Sequence, residues 1–254
     1  MSKEKRDRIY AVLCTVFTIL FIAVLLFMDT AMPHLGSADN PAINEVEEFY
    51  VEEGPGETGA LNAVTAMILH YRAFDTLGES CVLFVAAISV FILLRIDGDA
   101  SNETVVAIDR RYEPVNDPIL NESFKLLVPA VLMFGIYVTM NGHLSPGGGF
   151  SGGAILGAGF LLYLNAYGME RTERFLSSKT YRRVTVMALG FYAVAKTYSF
   201  YMGANGLESF ESAGVPGHIL SAGLILPLNI CVAVVVSQTL YSMYIMIRKG
   251  GFDK

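Results

Sequence analysis

Cysteine is scarce in this sequence, and its placement argues against redox and metal chemistry. The three cysteines, Cys14, Cys81 and Cys231, all fall inside apolar runs. No two have the C-x-x-C spacing of a zinc or iron–sulfur site, so the expectation is small, buried side chains. Also missing are a G-x-G-x-x-G turn, a P-loop, an H-E-x-x-H helix and a G-x-S-x-G elbow. The chain alone shows no means of covalent chemistry, carries no expected cofactor, and has nothing that points to nucleic acid. Basic residues are absent from one long stretch. Asp29–Glu57 holds Asp29, Asp39, Glu45, Glu47, Glu48, Glu52, Glu53 and Glu57, with no Lys or Arg.

Apolar residues are abundant. The chain is 53% hydrophobic, with a mean hydropathy of +0.48, high for a soluble domain. Runs of roughly 17–25 apolar residues are long enough to cross a bilayer. Five are clear: Ile9–Met28, Leu77–Leu94, Phe124–Met140, Val184–Met202 and His218–Ile247. A sixth, Gly152–Met169, is shorter. The first run is too long for a cleavable signal peptide and reads as a retained helix in lipid.

Charge orients these spans. Lys3, Lys5, Arg6 and Arg8 place the N-terminus in the cytoplasm by the positive-inside rule. The acidic 29–57 loop then lies outside, as a solvated face or as a mouth that attracts cations. The connector with Arg95, Arg110 and Arg111 is inside, as are Arg171, Arg174, Lys179, Arg182 and Arg183. Glu208 and Glu211 mark an outer loop, and Arg248, Lys249 and Lys254 an inner tail. The expectation is an all-α integral membrane protein with about six crossings and both termini cytoplasmic. Every Lys and Arg is then inside except Arg72 and Lys196. Leu61–Phe74, interrupted by His70 and Arg72, does not fit as a crossing and reads as an interfacial or re-entrant helix.

The chain is organised around Asn141–Gly153, where six glycines and a proline fall within thirteen residues. Glycine costs backbone entropy and proline removes a donor, so this stretch reads as the tip of a helical hairpin on the outer side. Its bland role is a tight turn. The other is a place where an ion, a water or another helix approaches bare backbone. Arg72, Asp75 and Glu79 are spaced i, i+3, i+7, which puts them on one face if a helix persists through Gly78. They form either a neutralised cluster or part of an ion path. Lys196 lies deep in its run, so it either snorkels or sits in a polar interior. Pro227 and Asn229 predict a kink in the last helix.

The tip Gly142-His143-Leu144-Ser145-Pro146-Gly147-Gly148-Gly149-Phe150, followed by Gly152-Gly153, resembles the B subunit of Mrp-type multisubunit Na+/H+ antiporters. Asn62–Glu79, with its Tyr71-Arg72-Ala73-Phe74-Asp75-Thr76-Leu77-Gly78-Glu79 core, is similar to the C-terminal part of the A subunit of those antiporters. It is more similar still to the E subunit of energy-converting membrane-bound hydrogenases. The chain therefore looks like a fusion. An E-like piece at 1–95 and a cytoplasmic linker at 96–121 precede a B-like four-helix piece at 122–254. The resemblance implies a non-redox membrane subunit in the cytoplasmic membrane, with Na+ and H+ as transported ions. It implies antiporter subunits as partners, along with iron–sulfur, hydrogenase-like or flavin subunits where a ferredoxin-fed redox arm is attached. It makes Glu79 and His143 ion-path candidates, with Na+ passing transiently near Asp75 and Glu79 rather than held at a stable metal site. Two positions depart from the family. An aspartate commonly follows the proline near the start of the last helix, but here Pro227 is followed by Leu228 and Asn229. Lys196 has no counterpart. A structural adaptor with no ion path of its own is the competing role. An independent transporter is disfavoured, because the two unlike halves show no internal repeat.

Overall fold

The computed structural model describes residues 3–30, 32, 45–93, 118–174, 176–207 and 213–249. Most of the 96–121 linker, Pro33, Asp39, Pro41, Arg95, Arg110, Arg111, Glu208, Glu211 and Lys254 lie outside these residues. All regular structure among the described residues is helical. The chain forms two compact units, Met1–Phe49 and Tyr50–Lys254.

The first unit carries α1, Lys3–Thr30. It is apolar all round and buries none of its described side chains, as a helix surrounded by lipid does. Its threonines turn back on their own helix: Thr15 and Thr18 hydroxyls donate to the carbonyls of Ala11 and Cys14. The short α2, Glu45–Glu52, crosses the boundary between the units.

In the second unit α3, Gly54–Thr58, leads into α4, Ala63–Ala66. One wide π turn follows, Met67–Tyr71, and then α5, Ala73–Leu93. Next come α6, Pro118–Met140, α7, Gly149–Tyr167, the short α8, Met169–Glu173, α9, Ser178–Ala204, and α10, Ile225–Lys249. Among the described residues, five helices are long and apolar enough to cross a membrane: α1, α5, α6, α7 and α10. The 27-residue α9 has the length, but its lysines, arginines and tyrosines dilute its apolar character. The chain is a multi-pass membrane protein.

The packing explains the glycines. Only Gly142, Gly147 and Gly148 lie in the tip; Gly149, Gly152 and Gly153 belong to α7, so half of the glycines expected in the turn are in helix. Along one face, a Cβ at Gly149 would meet the Asn229 carbonyl oxygen at 2.6 Å, and one at Gly153 would meet that of Ala233 at 2.8 Å. Gly157 continues the row against Leu240. On another face, Gly152 lies against Thr139, and Gly159 against Leu132 of α6. Close backbone approach between membrane helices outweighs the propensity cost of glycine. In the core, Leu69, Tyr192, Ile225, Leu228 and Val232 pack together near the tip end. A second cluster, Leu164, Met169, Leu176, Tyr241 and Ile245, lies toward the opposite end.

Three expectations fail. The last helix begins at Ile225 rather than His218, because positive φ at Gly217, Ala222 and Gly223 holds the preceding residues in turns. Pro227 therefore falls in the first turn, where its missing N–H removes no helical bond and no kink is required. Cys14 and Cys81 are exposed on their helices, not buried, and Cys231 is partly covered.

Candidate functional site

The tip is tied down by side chains from distant segments. Asn62 caps α4, its Oδ1 accepting from the amides of Val64 at 3.1 Å and Thr65 at 3.4 Å. The same residue's Nδ2 donates to the carbonyls of Gly142 and Ser145, each at 2.9 Å, and to the Thr65 hydroxyl at 2.9 Å. Thr65 Oγ1 donates its own proton to the Gly142 carbonyl at 2.8 Å. The Asn62 amide donates to the His143 carbonyl at 3.0 Å. From the other side, Asn229 reaches out of α10, and its Oδ1 accepts from the Gly149 amide at 2.8 Å. An amide oxygen thus caps the first turn of α7 from a neighbouring helix, which satisfies one of the orphan donors there.

These bonds decide what the tip can do. The Gly142 carbonyl accepts two hydrogen bonds and the His143 and Ser145 carbonyls one each, so the tip backbone is committed first to holding the turn. His143 is fully buried. Its Nε2 lies 3.1 Å from the His218 carbonyl, and because a carbonyl only accepts, the proton sits on Nε2. Pro146 and Gly147 are exposed, whereas Gly142, Gly148 and Gly149 are buried.

The Arg72–Glu79 stretch behaves differently. Where the π turn ends, Arg72 has φ −116° and ψ 34°, off the helical values. Side chains take up the carbonyls around this break. The Thr76 hydroxyl donates to Ile68 at 2.7 Å, and the Tyr192 hydroxyl donates to Ala73 at 2.9 Å. Such repair is how irregular backbone survives at membrane depth. Tyr71 donates to the Glu57 carboxylate at 2.8 Å; burial first, then that bond, pushes its hydroxyl pKa well above the usual value.

The helix does persist through Gly78. Arg72 pairs with Asp75, Nη2 to Oδ2 at 2.6 Å, and both side chains are more than half exposed. Glu79 does not join them; it is exposed on the outer face of α5 and makes no ion pair or hydrogen bond among the described residues. Fourteen residues of helix separate Thr65 from Glu79, about 20 Å of rise. The structure therefore does not bring Asp75 or Glu79 to the His143 tip. Phe74 meets Phe200 at 6.0 Å, and Phe91 meets Tyr181 at 5.7 Å, so α5 and α9 run antiparallel. This register sets Lys196 level with the first turns of α5. Lys196 is buried, 4% exposed, and does not lie along a lipid-facing surface. Among the described residues, no group of three or more His, Cys, Asp or Glu side chains is placed to hold a metal ion.

Two known families match consecutive parts of the chain. Residues 119–242 match the domain related to the MnhB subunit of Na+/H+ antiporter, and residues 14–111 match the E subunit of MBH. A putative antiporter subunit mnhB2 from Staphylococcus aureus is 30% identical over 39% of this chain and 70% of its own length. The chain belongs to the MnhB-related antiporter subunit family. An uncharacterized protein of Methanocaldococcus jannaschii, MJ1307, is 31% identical over 69% of this chain and 72% of its own. A probable A/B subunit of a K(+)/H(+) antiporter from Rhizobium meliloti is 28% identical over 52% of this chain, which spans only 15% of that protein. Among solved structures, a chain of the membrane-bound sulfane sulfur reductase, an archaeal respiratory membrane complex, superposes with a TM-score of 0.64 at 26% identity. The match covers 92% of this chain and 97% of that one. A chain of the Mrp complex from Dietzia sp. DQ12-45-1b shares the fold, with a TM-score of 0.62 at 20% identity, over 27% of its length. The E-like and B-like pieces therefore do stand fused in one chain.

The tying roles of Asn62 and Thr65 and the capping role of Asn229 are absent from the sequence reading. Asn229 stood out there with Pro227 as the site of an expected kink and as a departure from the family's aspartate. The structure shows that an amide suffices at this position, because the partner is a backbone N–H.

Proposed function

We propose that this chain is a non-redox membrane subunit of a multisubunit antiporter-type complex that exchanges Na+ for H+. The observation that carries the reading is Glu79, an exposed carboxylate in the second turn of a 21-residue apolar helix. A carboxylate facing lipid is expensive, so Glu79 faces water or another protein chain. Its place on the outside of the chain gives it to an ion path shared with a neighbouring antiporter subunit. Asp75, neutralised by Arg72, has the lesser part in that path, and Lys196 is a buried counter-charge at the same level.

The complex carries a ferredoxin-fed redox arm with iron–sulfur and hydrogenase-like or flavin subunits, in the cytoplasmic membrane. The support is the end-to-end likeness to a chain of a respiratory complex, whereas the matches to the Rhizobium and Dietzia proteins cover a small part of much longer chains. A tagged copy purified in mild detergent should bring down antiporter-like subunits together with iron–sulfur proteins. Antiporter subunits alone would remove the redox arm, and an isolated chain would overturn the proposal. In the reconstituted complex Glu79→Gln should lower Na+-dependent activity at least tenfold without loss of assembly.

At the tip a second reading is favoured. The bonded carbonyls and the tied backbone make His143 and its glycines an anchor that joins the E-like and B-like pieces, not a station for ions.

A further inference from the structure

Away from the tip, α9 and α10 meet along a seam of buried hydroxyls that the roles above do not use. Thr185 and Thr239 are each 0% exposed, and Tyr181 is 5% exposed. Tyr181 Oη, Thr185 Oγ1 and Thr239 Oγ1 all lack a hydrogen-bond partner among the described residues. Thr239 faces the Tyr181 hydroxyl without closing a bond, and Thr185 stands one turn along α9 on the same face as Tyr181. Buried helical threonines elsewhere in this chain avoid that cost. Thr139 donates to the carbonyl of Gly135 at 2.8 Å, and Thr172 to that of Gly168 at 2.9 Å. Thr185 and Thr239 instead make no bond to their own helices' carbonyls. Ser80 Oγ on α5, 1% exposed and also without a partner, lies about 10 Å farther toward the tip end, by helix rise from the α5–α9 register.

A buried hydroxyl left without a partner costs about 1–3 kcal/mol, and such groups in native proteins are satisfied by ordered water. The facing Tyr181 and Thr239 hydroxyls, with Thr185 one turn along the Tyr181 face, give water there the polar partners it needs. We propose that the Tyr181–Thr185–Thr239 seam holds water and forms this chain's section of the proton route. The route runs from the end bearing Lys179, Arg182 and Arg183 toward Ser80 and the buried Lys196. Each hydroxyl accepts one proton as it donates another, so nothing along the seam remains charged. This inference rests on the antiport reading for its proton traffic, but not for its water.

Two measurements on the intact complex test it. In a background with Cys14, Cys81 and Cys231 replaced by alanine, Thr239→Cys should react with a small, water-borne methanethiosulfonate amine, and Val235→Cys, one turn away, should not. The near-isosteric pair Thr185→Val with Thr239→Val should assemble, lose a few degrees in Tm, and slow proton movement into vesicles at least tenfold. A dry seam predicts the reverse: an unreactive thiol at position 239, and a higher Tm because two unsatisfied hydroxyls have gone. Reactivity with unchanged proton flux in the valine pair would overturn the route. A wild-type complex that moves no protons would instead overturn the antiport reading, and the labelling would still decide whether the seam is wet.

Discussion

At the tip end of the 50–254 unit, one side chain, Asn62, serves two carbonyls, a hydroxyl and two amides. At the opposite end three hydroxyls on α9 and α10 serve nothing among the described residues. Asn62 is half-buried and the three hydroxyls are buried. The difference is in the partner. Backbone groups in the tip turn have no helical partner, so polar side chains that bond them remove a large penalty and fix the turn. The backbone of α9 and α10 is already bonded within its helices, so hydroxyls there are spare. A membrane protein that wanted only stability would have valine at such positions. Polar groups at the tip act as ties, and those in the seam are free to do something else.

The largest effect should come from overfilling the α7 glycines packed against α6 and α10. A Cβ at Gly152 would strike Thr139 and one at Gly153 would lie 2.8 Å from Val236 Cβ, so Gly152→Val and Gly153→Val should each cost more than about 3 kcal/mol. The check is loss of the assembled complex in size-exclusion chromatography. Next comes Asn62→Ala, which strands the Ser145 carbonyl, leaves the Gly142 carbonyl to Thr65 alone and uncaps α4; about 2–3 kcal/mol is expected, read as a lowered Tm. Asn229→Ala should cost about 1–2 kcal/mol through the lost cap of α7. Asn229→Asp should recover most of that, because its oxygen still accepts from Gly149 and its charge suits a helix N-terminus. If alanine and aspartate fell equally, the trans-cap account would be wrong.

The smallest effect concerns Tyr71. Its folded pKa is raised above the usual 10.0, so its contribution is fully present below about pH 10 and is lost as pH climbs toward the folded value. Tyr71→Phe should lose that contribution at neutral pH, raising the unfolding rate by about a few tenths of a log unit, and should flatten the further loss at alkaline pH.

Much of the architecture was legible in the residues. Hydropathy located the long helices because each needs an unbroken apolar run. The i, i+3 spacing of Arg72 and Asp75 marked their pair, since a helix brings such residues together. The last helix was overextended at its start, because Ile219, Leu220 and Leu224 are as apolar as a span, and only the turn backbone at Gly217, Ala222 and Gly223 reveals otherwise. Gly149, Gly152 and Gly153 were misplaced for a related reason: propensity weighs a residue alone, while their value lies in what packs against them. The ties made by Asn62 and Asn229 left no trace at all. Each bonds backbone some eighty residues distant, and a contact of that kind has no period or spacing to detect.

The wide turn at Met67–Tyr71 sets the phase of everything beyond it. An α-helix advances about 100° per residue, and a π turn accommodates one residue more than an α turn would. Downstream, Ala73, Thr76 and Ser80 point inward and Glu79 points out. Remove a single residue from the turn, and α5 would roll by more than a quarter of a circle. The rolled helix would carry Glu79 away from whatever waits for it outside the chain, with every residue of α5 unchanged.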